Sequence, residues 1–139
     1  MTMPKFDEIN VGDALPELNL GVLTREGIAA FAHASGDMNP IHLDEEAAKA
    51  NKLPGIIAHG MLNMAFLSRV VTGWVPQSQL RGLETRFAAM AFPGDTVVCR
   101  GEVSGKREDG GEKLADLTIE LVNGKGETLL AGGAIVALS

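Results

Sequence analysis

Between Met61 and Val71 the chain reads MLNMAFLSRVV, a helical stretch with no properly polar face. Met61, Leu62, Met64, Ala65, Phe66, Leu67, Val70 and Val71 spread apolar side chains around its whole circumference. A helix that is apolar nearly all round is buried nearly all round. The stretch is too short and too interrupted to span a bilayer, which takes about 20 apolar residues. In a water-soluble chain it therefore needs a sheet wrapped about it, another subunit, or both. No other feature narrows the fold as far.

The sequence supplies such a sheet. Leu15 to Leu23 alternates Leu18, Leu20 and Val22 against Glu17, Asn19 and Gly21, the period of a half-buried strand. After the apolar helix, Leu80 to Phe92 reads as a long strand, with Glu84 and Arg86 on the side of Met90. Pro93-Gly94-Asp95 turns the chain into a strand over Thr96 to Val103, and Arg107 to Gly111 is a polar hairpin loop. Leu114 to Val122 points Ala115, Leu117, Ile119 and Leu121 inward against Asp116, Thr118 and Glu120. Asn123-Gly124-Lys125-Gly126 is a hairpin turn, and Thr128 to Leu138 closes the sheet. The expectation is an α+β fold, a five-stranded antiparallel sheet wrapped around one central buried helix. With 139 residues, 45% of them hydrophobic, the chain holds one domain with a real core over 1–139.

Two further helices precede the apolar one. Thr24 caps the first, with Glu26 in its opening turn and Ile28, Phe31 and Ala34 on its apolar face. His33 reads as a solvated residue of that helix. Asp44 caps a short second helix with Glu45 and Glu46 in the first turn, and Asn51 stops it. These three acids invite a metal reading, but a helix start explains them without further assumption, so no metal is expected.

Charge and cysteine usage exclude several classes. The net charge is −6, neither half of the chain is basic, and no Lys/Arg cluster alternates with aromatics, so nucleic acid is not an expected partner. The single cysteine, Cys99, rules out an internal disulfide and a Cys-based zinc site, and its strand-like surroundings read as a buried small hydrophobe. The amino-terminal MTMPKFDEI lacks a signal-peptide core and no anchor or transit sequence is evident. A soluble, cytoplasmic protein without membrane contact is the expectation.

Chemistry concentrates in Ser35 to Ala48, SGDMNPIHLDEEAA. Pro40 lacks an N–H and biases Asn39 away from helical angles, so the preceding helix should end here. Asp37 and His42 then face one space across the turn, and an acid with an imidazole suits proton transfer to and from water near neutral pH. The same residues also read as a helix C-terminus, a turn, and a His bonded to a carbonyl. Gly60 opens the apolar helix, where backbone N–H groups lack partners and the absent side chain lets a carbonyl approach. Gly60 also reads as a residue that merely permits tight packing.

Phe31-Ala-His-Ala-Ser-Gly-Asp37-Met-Asn-Pro40-Ile-His42, followed by Ala48, resembles the signature of the R-specific enoyl-CoA hydratases and MaoC-like dehydratases. Ala58-His59-Gly60-Met61, with eighteen residues from His42 to Gly60, also resembles that family. The likeness covers essentially the whole chain and implies a hotdog fold, closest to short (3R)-hydroxyacyl thioester dehydratase subunits of fatty-acid elongation. It implies Asp37 and His42 as the catalytic pair, the Gly60 N–H as donor to the thioester carbonyl, and Ser68 as a supporting polar group. Asn39 and His59 would brace the site. It implies no cofactor and no metal, with CoA or acyl carrier protein only carrying the substrate. It further implies at least a homodimer, or a heteromer, with the acyl thioester along the subunit interface. Ala34 departs from the signature, which prefers Leu, Val, Ile or Gly there. Phe31, Met64, Phe66, Trp74 and Phe87 are candidates for the acyl pocket, and Arg81, Arg86 and Arg100 for CoA phosphates. A hotdog acyl thioesterase and a non-catalytic subunit of a heteromeric dehydratase are the rival readings; a metal hydrolase using Asp37, His42 and Asp44 ranks last.

Overall fold

The computed structural model describes residues 3–139. Met1 and Thr2, part of the stretch searched above for a leader, lie outside the described residues. The order is β1 (Leu18–Val22), α1 (Arg25–Ser35), α2 (Glu45–Ala50), α3 (Gly60–Thr72), β2 (Leu80–Phe87), β3 (Thr96–Asp109), β4 (Glu112–Asn123) and β5 (Thr128–Leu138). The strands form one antiparallel sheet in the order β1-β3-β4-β5-β2, and α3 touches all five. This is the α+β, hotdog arrangement expected for an apolar helix that the sheet must enclose. No helix among the described residues is long and apolar enough to cross a membrane.

The core is the seam between α3 and the inner face of the sheet. Leu62, Leu67, Val70 and Val71 of α3 meet Val97, Cys99 and Val103 of β3, Ala115, Leu117, Ile119 and Leu121 of β4, and Leu130 and Val136 of β5. Each Leu, Ile or Val among them stabilises the fold by about 1.5–3 kcal/mol on burial. The four β4 residues are those that alternation assigned inward. α3 itself is less enclosed than its composition implies. Met61, Ala65 and Arg69, at helical spacing, are exposed, because the sheet curls over one side of the helix and nothing among the described residues covers the other.

Strand limits differ from the expected ones for local reasons. β1 is shorter than Leu15–Leu23, and Val22 is 56% exposed instead of inward. The pairing with β3 slips between Asn19 and Gly21, where Gly21 takes a φ of +78° and its N–H donates to Asn19 Oδ1. A bulge of this kind flips the following side chains to the other face. β2 stops at Phe87, not Phe92, because the Ala88 and Ala89 N–H groups both turn to the Leu129 carbonyl. Met90 is therefore not in a strand with Arg86. The polar loop expected over Arg107–Gly111 is a Gly110-Gly111 turn, both at positive φ, and Arg107 to Asp109 extend β3. Arg107 reaches across to Asp116 of β4, at 3.1 Å from Nε, which keeps the polar end of the ribbon paired.

The helix starts follow the capping reading. Thr24 Oγ1 accepts from the Gly27 N–H at 2.9 Å, and Asp44 Oδ1 accepts from the Glu46 N–H at 3.0 Å. Arg25 of α1 pairs with Glu45 of α2, tying the two short helices across the turn between them.

Candidate active site

The turn between α1 and α2 is built from short-range hydrogen bonds. Gly36 ends α1 in the left-handed region, its N–H donating to Ala32 O. Asp37 Oδ1 accepts from the Asn39 N–H at 3.3 Å, and Asn39 Oδ1 accepts from the Ile41 N–H at 3.2 Å. Pro40 then opens a single 3₁₀ turn, Pro40–His42. The Asn39 side chain thus holds the turn, and Asp37 and His42 come to opposite ends of it.

His42 is buried, and its Nδ1 lies 2.8 Å from Ile57 O. A carbonyl only accepts, so Nδ1 carries the proton and Nε2 presents a lone pair in the neutral ring. That Nε2 lies 4.0 Å from Asp37 Oδ2. The gap is too long for a direct bond and fits one water touching both groups. The Asp37 carboxylate is solvent-accessible, so the pair opens outward. An ionised Asp37 and a neutral His42 are both acceptors. A water between them donates both hydrogens and keeps its own lone pairs free for attack.

His59 lies behind this pair. It is 1% exposed, stacks on His42 with ring centroids 3.8 Å apart and meets the Phe31 ring edge-on at 4.9 Å. Its Nε2 donates to Asp37 O at 3.0 Å, while Nδ1 is buried without a partner. The His59 ring therefore joins Asp37's backbone to His42's face. Ligand atoms of Asp37, His42 and His59 all lie within 4.8 Å of one another, a spacing that suggests a metal cluster. The two rings are only 24° from parallel, so their in-plane lone pairs do not converge on one ion, and one nitrogen of each ring is already committed to a carbonyl. The arrangement suits proton handling better than coordination.

A pocket of about 360 Å³ adjoins His42. Gly60, Asn63, Phe87, Ala88, Met90 and Leu130 contribute to its walls, so the opening turn of α3 and the end of β2 enclose it together. Gly60 lies in the first turn of α3, where the backbone N–H has no intrahelical acceptor and the helix end is positive. A side chain here would meet the Phe87 ring at 3.0 Å, so glycine is what lets the pocket reach the backbone. Met38, Met61, Phe87 and Met90 are exposed beside these residues, Phe87 at 53%.

The structure brings Asp37, His42, Asn39, His59 and Gly60 to one place. It does not bring Ser68 there. Ser68 lies two turns along α3 and donates to Ala65 O at 2.7 Å, as a helix side chain bonded to its own backbone. Of the aromatic and Met candidates for the pocket, only Phe87 lines it; Phe31 abuts His59, and Met64, Phe66 and Trp74 pack on the core. Arg81 is paired with Glu112 and Arg100 with Glu120, while Arg86 makes no ion pair among the described residues. His33 is exposed on α1, as expected of a solvated helix residue. Cys99 donates its S–H to Phe66 O, and burial pushes its thiol up to about 11, so it is neither thiolate nor nucleophile at neutral pH.

Sequence reasoning passed over Asn63. It is 2% exposed, lines the pocket, and its Oδ1 has no hydrogen-bond partner. Leaving such a group unpaired costs about 1–3 kcal/mol. The available signal was the lone amide inside MLNMAFL, an anomaly in an otherwise apolar run.

Comparison with known proteins follows the same geometry. The family described as "MaoC like domain" matches residues 13–124. The (R)-specific enoyl-CoA hydratase of Aeromonas caviae is 34% identical over 113 residues, covering 80% of this chain and 83% of that protein. The solved (R)-hydratase from A. caviae involved in PHA biosynthesis superposes with a TM-score of 0.82 at 30% identity, covering 95% of this chain and 98% of that one. The ChsH1-ChsH2 complex from Mycobacterium tuberculosis contains a chain with a TM-score of 0.79 at 25% identity, over 94% of this chain and 98% of that one. Against the much longer fatty acid synthase subunit beta of Saccharomyces cerevisiae, 32% identical over 93 residues, the match spans 65% of this chain and only 4% of the relative.

Proposed function

This chain belongs to the MaoC-like domain family, and from that premise we propose that it is a hydro-lyase that adds water reversibly to trans-2-enoyl thioesters, giving (3R)-3-hydroxyacyl thioesters. The observation that carries this reading is the 4.0 Å gap between His42 Nε2 and Asp37 Oδ2 beside the pocket into which α3 opens at Gly60. Hydration needs two things at once. Water must lose a proton as its oxygen bonds to C3, and the carbonyl oxygen must be stabilised while charge collects on it.

Asp37 and His42 hold the water by its two hydrogens. As the oxygen attacks C3, the pair takes one proton and delivers a proton to C2 on the same face, which makes the addition syn. Both groups touch the same water, so the pair, rather than either member, is the acid–base catalyst. The Gly60 N–H donates to the thioester carbonyl at the positive end of α3. The reaction joins the water oxygen to C3 and a proton to C2 with no net change of oxidation state, so proton transfer and carbonyl stabilisation are what the site must supply. CoA or acyl carrier protein carries the acyl group, and the protein works in the cytoplasm.

The exposed Met38, Met61, Phe87 and Met90 beside the site, and the free edge of β2, support assembly into at least a homodimer, with a heteromer as the variant of the same arrangement. The test of the reaction class is the product formed from crotonyl-CoA. Formation of (3R)-3-hydroxybutyryl-CoA supports the assignment. Release of free CoA without hydration would instead mark a thioesterase.

A further inference from the structure

The carbonyl donor assigned to the pocket so far is a single backbone N–H, yet a second polar group stands in the same wall. Asn63 is 2% exposed, and its Oδ1 is sealed from solvent without a hydrogen-bond partner. Its backbone N–H is already used, donating to His59 O at 3.2 Å, so the helix does not need the side chain as a cap. Gly60 and Asn63 are three residues apart on α3 and therefore share a face. Helical side chains lean toward the N-terminus, which carries the Asn63 carboxamide back over the turn that Gly60 opens. Both residues line the pocket that also holds His42. With Oδ1 sealed and the residue lining the pocket, the NH2 is the end of the carboxamide left to meet a ligand. The surrounding wall is apolar, from Ile57, Ala58, Ala88, Ala89, Met90 and Leu130.

We propose that Asn63 is a substrate-binding residue whose side-chain N–H donates to the thioester carbonyl together with the Gly60 N–H, completing a two-donor oxyanion site. The assignment rests on the hydratase reading above for the identity of the ligand, an acyl thioester. It gives a role to the one amide in an otherwise apolar run of the helix. Two donors from one rigid helix turn are preorganised toward the oxygen that gains charge as C3 is attacked, which is where fixed dipoles act most strongly.

The test uses the full chain with Asn63→Leu, which keeps the branched outline of the side chain and removes the polar group, and Asn63→Asp, which replaces the donor by an acceptor. With crotonyl-CoA, Asn63→Leu should lower kcat on the order of a hundredfold, with a melting temperature unchanged or raised, and Asn63→Asp should lower kcat further. A purely structural amide would behave in the opposite way, losing stability and keeping kcat. The second readout needs no turnover. Butyryl-CoA, which is saturated and cannot be hydrated, is bound with carbon-13 at its carbonyl, and the carbonyl stretch is recorded. Wild type should displace the stretch to lower frequency, and Asn63→Leu should return it part of the way.

Turnover by Asn63→Leu within about threefold of wild type, with the carbonyl displacement intact, overturns the assignment and leaves the hydratase reading standing. If wild type does not hydrate crotonyl-CoA, the hydratase reading fails for that substrate, and the carbonyl displacement alone decides Asn63. Absence of butyryl-CoA binding, or of any displacement in wild type, overturns it.

Discussion

Replacing His59 separates a structural brace from a proton carrier. The ring is 1% exposed, donates to Asp37 O at 3.0 Å, and stacks on His42 at 3.8 Å. His59→Ala removes a fully buried ring between Phe31 and His42 and should cost about 3–5 kcal/mol, as ring-to-alanine changes in cores do. His59→Phe keeps the ring. It loses the bond to Asp37 O, worth about 1 kcal/mol, and also removes the buried, unpartnered Nδ1, worth a similar amount in the other direction. Its stability should therefore stay within about 1 kcal/mol of wild type. Its activity should fall roughly tenfold, because Asp37 is no longer tethered from behind while the pair itself is intact. Urea unfolding gives the stabilities and crotonyl-CoA turnover the rate. Had His59 carried a proton, His59→Phe would lose on the order of a hundredfold or more at unchanged stability. That result, or an alanine variant as stable as wild type, would refute the brace.

Two further outcomes concern the sheet. A side chain at Gly132 would drive its Cβ into Glu84 O and to 2.7 Å from Thr85 Cα, both backbone atoms of the neighbouring strand, so Gly132→Ala should destabilise by about 3 kcal/mol in urea unfolding; a change under about 0.5 kcal/mol would contradict the close β2–β5 approach. The Arg81 guanidinium, bonded to Glu112 at 2.7 Å and 2.9 Å, holds the Glu112 carboxyl below the ordinary glutamate range. A depressed folded pKa means stability that is present above the unfolded pKa and lost as pH falls through the folded one. Glu112→Gln should therefore unfold more easily than wild type at about pH 7, with the gap closing as the pH is lowered below the ordinary glutamate range; a pH-independent gap would refute the ionic origin.

Elements whose pattern is set by their own chain were legible in the sequence. Ala115, Leu117, Ile119 and Leu121 alternate because one face of β4 meets α3, and the bulge opposite them, between Val103 and Gly105, puts its extra residue in β3 rather than β4. Thr24 and Asp44 cap their helices by bonds to residues two or three positions on. Elements set by distant partners were not. Val22 turns outward because β1 slips against β3, and β2 ends where Ala88 and Ala89 meet Leu129, both effects of the neighbouring strand. How the enclosure of α3 divides between the sheet and a second subunit is not legible either, because composition counts apolar residues without saying how far one sheet can wrap.

The site divides the same way. The Asn39-Pro40 turn follows from local chemistry, with Asn39 accepting from the Ile41 N–H. The meeting of that turn with Gly60, eighteen residues beyond His42, came from resemblance, since no periodicity relates them. The seat of His42 depends on Ile57 O and that of Asp37 on His59 Nε2, long-range bonds that a linear pattern does not encode. Ser68 was placed by resemblance alone, and in this chain its hydroxyl is spent on Ala65 O.

The most direct test of the central claim is crotonyl-CoA hydration by the purified chain beside Asp37→Asn, an isosteric change at an accessible side chain that should leave the fold intact. The account predicts hydration by wild type and a loss on the order of a hundredfold or more in the variant, because the amide no longer takes up the water's proton. Near wild-type turnover by Asp37→Asn would contradict it.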